Sequence, residues 1–126
     1  MSPMERSLTE PMMLFDLEPH VSELRGDESY ARTGRLGRTL ARSGRLRLVL
    51  VALRAGIDIG THHADSPMTI QLTEGRLGFT VRGEHHELRA GQVLFFGPGD
   101  AHDIRALEDS ALLLTLSAIG DDARNE

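Results

Sequence analysis

Beyond residue 45 apolar and polar positions alternate with a period of two over most of the chain. Met68, Ile70 and Leu72 oppose Thr69, Gln71 and Thr73, and after a Glu74-Gly75 turn Leu77, Phe79 and Val81 oppose Gly78 and Thr80. Such alternation gives each strand one apolar face. A Gly83-Glu84 turn leads into a strand over His85 to Leu88. Further strands are predicted over Val93 to Phe96, His102 to Ala106 and Ala111 to Ser117, separated by Ala90-Gly91, Gly97-Pro98-Gly99-Asp100 and Glu108-Asp109. The stretch Arg45 to Leu53 is different, because Leu46, Leu48 and Leu50 make one face apolar while Val49, Val51 and Leu53 make the other apolar too. Such a strand is covered on both sides, by the core and by either the N-terminal segment or a partner subunit.

Upstream, six arginines fall between Arg32 and Arg47. Gly34, Gly37 and Gly44 disfavour a helix there, Ser43-Gly44 reads as a hairpin turn, and arginines alternating with Leu36, Leu40 and Leu46 read as the wet side of a strand. Leu14 to Tyr30 carries a weak helical or irregular pattern suited to covering an edge, residues 1 to 14 read as an arm, and residues 119–126 as an acidic tail. About eight strands at a spacing of eight to twelve residues predict an all-β domain: a closed antiparallel double sheet, a jelly-roll β-barrel over residues 31–118 with residues 1–30 as an N-terminal arm.

Composition narrows the chemistry. With 126 residues the chain is one domain. It has no cysteine, so a metal must be held by His, Asp, Glu, Gln or Met. A net charge of −5 gives no field to attract nucleic acid or an anionic membrane. The start lacks the apolar core of a secretory signal, and the longest apolar run, Leu48 to Leu53, is too short to cross a bilayer. A cytoplasmic protein whose partner is a small molecule or a second copy of itself is the expectation.

Two segments carry the candidate chemistry. Thr61-His62-His63-Ala64-Asp65-Ser66-Pro67, running on to Gly75, resembles the first cupin motif, and Gly91 to His102, with its Pro98-Gly99 turn, resembles the second. The resemblance covers about residues 35 to 118, and it implies a homodimer. It also implies a metal site in the barrel, in a family that includes dioxygenases, isomerases and decarboxylases; the residues do not select among these. The first motif departs from the family pattern. Counted back from Gly75, the position of the family's glutamate falls on Met68, which supplies no anionic oxygen. The two histidines of that motif are adjacent instead of two apart, so at most one of His62 and His63 looks inward unless the backbone bulges.

The donor count is then one of His62 and His63, His102 from the second motif, and His86, which shares its parity with Leu88. Gln71 is the neutral oxygen best suited to help, although strict alternation sets it opposite Met68, so that it needs a bulge to point inward. Imidazole-rich sites suit zinc, copper or nickel, and iron or manganese would lack the carboxylate they favour. Each residue also has a plain structural reading: the adjacent histidines as turn residues, His85 and His86 as an exposed hairpin pair, and Met68, Ile70, Leu77, Phe79 and Phe96 as core or as the wall of a pocket. Two functions follow. One is a cupin that holds a divalent metal and a small molecule in its barrel; the alternative is a metal-free sensor or carrier of a small ligand.

Overall fold

Leu17, Val21 and Leu24 recur at helical spacing, with Glu18 in the first turn and Gly26 after the last, and they form the helix α1 (Leu17–Arg25). Asp27 caps a second short helix, α2 (Glu28–Thr33), by accepting a 2.7 Å hydrogen bond from the Ser29 amide. It ends at Gly34, whose φ of 80° is left-handed. The computed structural model describes residues 11–63, 67–97 and 101–117; the side chains of residues 60–63, 101 and 102, and with them those of His62, His63 and His102, lie outside that description, as do the tail and the Pro98-Gly99-Asp100 turn.

The rest is strand: β1 (Arg35–Ser43), β2 (Leu46–Leu53), β3 (Asp58–His63), β4 (Met68–Glu74), β5 (Arg76–Val81), β6 (Glu84–Arg89), β7 (Val93–Phe96), β8 (Ala101–Ala106) and β9 (Ser110–Ser117). They form two antiparallel sheets, ordered β1-β2-β9-β4-β7 and β3-β8-β5-β6, which pack face to face as a jelly roll. The expected hairpin at Ser43-Gly44 is the β1–β2 turn. Among the described residues no ladder joins one sheet to the other, so the double sheet is held by packing and by its corners.

Two apolar clusters result. The inner one joins Leu53, Met68, Ile70, Leu72 and Leu112 of the first sheet to Leu77, Phe79, Leu88, Ile104 and Ala106 of the second. The outer one sets Val21, Leu24 and Tyr30 of the helices against Leu40, Leu50, Ala52 and Ala111. The doubly apolar strand β2 therefore has its second cover within the same chain: Leu50 and Ala52 go under the helices while Leu53 enters the inner core. Burying a leucine such as Leu24 contributes about 1.5–3 kcal/mol, and Arg25–Glu74 at 2.7 Å and Arg38–Glu23 at 2.6 Å tie α1 to the sheet at its margins.

Candidate functional site

The two histidine segments meet in the second sheet. β3 pairs with β8 so that His62 is opposite His102, His63 opposite Ala101 and Thr61 opposite Asp103. Ile57 and Ile59, before the pairing shifts, pack against the inner core. Their parity alone would give the inward positions to Thr61 and His63. The ladder slips by one residue between Asp58 and Gly60, however, and this bulge brings Gly60 opposite Ile104 and His62 opposite His102. On β8, His102 is in phase with the buried Ile104 and Ala106.

The neighbouring strands add described side chains at the same end. Phe79 pairs with Ile104 on one side and His86 on the other. The His86 ring stacks on Phe79 at 5.2 Å between centroids, and Phe96 meets Phe79 edge-on at 6.1 Å from the opposite sheet. His86 is thus on the inner face in phase with Leu88, yet exposed at its rim, with Glu84 at 3.6 Å. Glu84, expected only as a turn residue, shares the parity of His86 and Leu88 along β6. His85 is on the other face, with Nδ1 3.0 Å from the Thr80 hydroxyl.

Met68 is buried on β4 between Phe96 of β7 and Leu116 of β9. Gln71 is exposed, on the face opposite Met68 and Ile70; β4 keeps strict alternation from Met68 to Leu72, so no bulge turns Gln71 inward. Its amide is not brought to the histidines. Among the described residues no three His, Asp or Glu side chains cluster closely enough to hold a metal. Among the described residues the inner face in this region is apolar and aromatic, with the His86 ring on the second sheet.

The sequence from residue 49 to residue 118 matches the family model of the cupin domain. The chain is a cupin. That span contains both histidine segments, and the double-sheet jelly roll is the architecture the cupin resemblance implied. No curated protein matches the sequence significantly. Solved structures share the fold at low identity. A conserved protein of unknown function from Streptococcus pyogenes has 22% identity and a TM-score of 0.70, over 90% of this chain and 94% of that one. A cupin superfamily protein from Desulfitobacterium hafniense has 18% identity and a TM-score of 0.70, over 90% and 97%. A variant of salicylate 1,2-dioxygenase from Pseudoaminobacter salicylatoxidans superposes with a TM-score of 0.75 at 16% identity, over 90% of this cupin but 37% of the dioxygenase chain. No helix of this cupin, among the described residues, is long and apolar enough to cross a membrane.

Proposed function

We propose that this cupin binds a divalent transition metal and a small molecule between its sheets, at the end where β3 and β8 carry His62 and His102. The observation that carries the reading is the register: directly opposed residues of an antiparallel pair share a face, and His102 is in phase with the inward Ile104. The residues fit a metal in part. The register sets residues 62 and 102 opposite each other, and His86 and Glu84 stand on the same sheet two strands from β8, while Met68 falls at the position of the family's carboxylate. That donor set favours zinc, nickel or copper over iron or manganese. A metal bound there would polarise an oxygenated ligand as a Lewis acid; Phe79, Phe96 and Met68 would wall the ligand from water.

The test is metal analysis of untagged protein, before and after supplying zinc, nickel, copper, iron and manganese, with His102→Ala alongside. Stoichiometric metal that the variant loses supports the reading, and a wild type that takes up none of the five removes it. A metal-free carrier of a small apolar or carbonyl ligand is the second reading. It is favoured by the burial of Met68 where an anionic ligand would be needed.

A homodimer is the assembly that fits the outer surface of the first sheet. Val93 and Phe95 on β7 are 63% and 67% exposed and Leu46 on β2 is 53% exposed, all outside the part that the helices cover. Light scattering on the wild type and on Phe95→Ser should give a dimer and a monomer respectively. A wild-type monomer at micromolar concentration rejects the dimer.

A further inference from the structure

We infer that Arg47 and Arg42 form an oxyanion-binding pair on the inner face, so that the small molecule held between the sheets carries a carboxylate or phosphate group; this rests on the proposal that ligands bind at that end of the double sheet. β2 pairs with β9 without a shift from Leu46 to Leu53, so Arg47 is in phase with Val49, Val51 and Leu53, and Leu53 belongs to the inner core. Arg47 is opposite Leu116, Leu116 opposite Met68, and Met68 opposite Phe96. The arginine thus stands in the row of the first sheet that reaches Phe79 and His86 through the Phe96 ring. Two strand spacings, about 10 Å, separate it from Met68, within reach of one small organic acid.

Three observations make the pair a site and not a solvated edge. Arg47 is half-buried, and its Nε is hidden from solvent with no hydrogen-bond partner. Nitrogens of Arg25 and Arg76 are hidden in the same way, but those side chains hold carboxylates; at Arg47 an acceptor that reached the buried donor would be favourable. The β1–β2 ladder slips between Thr39 and Ala41, and this bulge puts Arg42 directly opposite Arg47 where Ala41 would otherwise stand. Like charges directly opposed across a ladder are destabilising. Finally, Arg25, Arg38, Arg76 and Arg105 each pair with a carboxylate, whereas among the described residues no carboxylate pairs with Arg42 or Arg47. Two arginines directly opposed in register, with no carboxylate partner among the described residues and one of them half-buried, match an oxyanion, which the planar fork can bind through two parallel hydrogen bonds.

The test uses metal-free protein, so that it is independent of the histidines. Binding of benzoate, phenyl phosphate, inorganic phosphate and the neutral isostere benzamide is followed by titration calorimetry and by amide chemical shifts. At least one anion should bind tenfold or more tightly than benzamide. Arg47→Gln and the exposed Arg42→Gln should each weaken it at least tenfold, with Arg47→Lys losing part of the affinity and Arg45→Gln, on the turn, losing none. Preference for benzoate names a carboxylate and preference for a phosphate names a phosphoryl group. Equal binding of benzamide, wild-type affinity in folded Arg47→Gln or Arg42→Gln, or no anion bound by about 10 mM overturns the inference. Anion binding in a protein that takes up no metal would reject the metal reading and leave this one standing.

Discussion

His62 stands directly across from His102 in the β3–β8 ladder, and a single extra residue puts it there. Without the shift between Asp58 and Gly60, Thr61 would face His102 and His62 would face Ala101. The bulge therefore selects one of two adjacent histidines. If the pair holds metal, His62→Ala and His102→Ala should each weaken zinc binding at least about tenfold, or 1.4 kcal/mol, while His63→Ala keeps wild-type affinity. Competition titration against a zinc chelator measures this, and equal losses in all three variants would reject the pairing as the basis of the site.

Met68→Glu tests whether the missing carboxylate limits the site. A carboxyl group buried among Phe96 and Leu116 is costly without a cation, so the metal-free variant should melt below the wild type. Zinc should then raise its melting temperature more than it raises that of the wild type, because ion binding to the folded state adds stability by mass action. A zinc response no larger than the wild type's would place Met68 outside any metal site.

Gly75 closes the turn between β4 and β5 at a φ of 94°, and a Cβ there would lie 2.7 Å from the Ser110 Cα and closer still to the Ser110 hydroxyl and the Asp109 carbonyl. Ser110 is fully buried and joins the sheets at this corner: its Oγ accepts from the Arg76 amide at 3.1 Å and donates to the Glu108 carbonyl at 2.7 Å. Gly75→Ala combines a left-handed backbone with overpacking and should cost roughly 2–4 kcal/mol. Urea denaturation gives the number; a loss under about 0.5 kcal/mol, the range of an ordinary surface substitution, would contradict the geometry.

The attachment of α1 should respond to acid. The hydrogen bond from Arg38, reinforced by its charge, holds the Glu23 carboxyl below its ordinary value of 4.5. A depressed folded-state pKa contributes stability that is present above the unfolded value and is lost as pH falls through the folded one. The melting temperature of the wild type should therefore converge on that of Glu23→Gln as pH drops below about 4.5, and exceed it by a small margin near neutrality, since the pair is exposed. A difference that grows on acidification would reverse the assigned sign.

Most of the strands were legible because a period of two is a local property: each face of β4 and β5 could be read from consecutive residues, and so could the double burial of β2. The weak pattern over Leu14 to Tyr30 resolved into two helices, since Val21, Leu24 and Tyr30 are buried against the outer face of the first sheet. The cover on β2 could be foreseen, but not whether a helix or a partner would supply it.

The resemblance to the cupin motifs located the histidine segments and the absent glutamate, because motif positions can be counted along the chain. Which histidine stands opposite residue 102, and which arginine stands opposite Arg47, depended on one-residue bulges in β3 and β1. A bulge is set by how a strand must bend to keep Ile57 and Ile59, or Leu36 and Leu40, in their cores while pairing with a neighbour. Because side chains alternate, a slip of one residue exchanges the two faces, so those assignments belong to the packed sheets and to no segment alone.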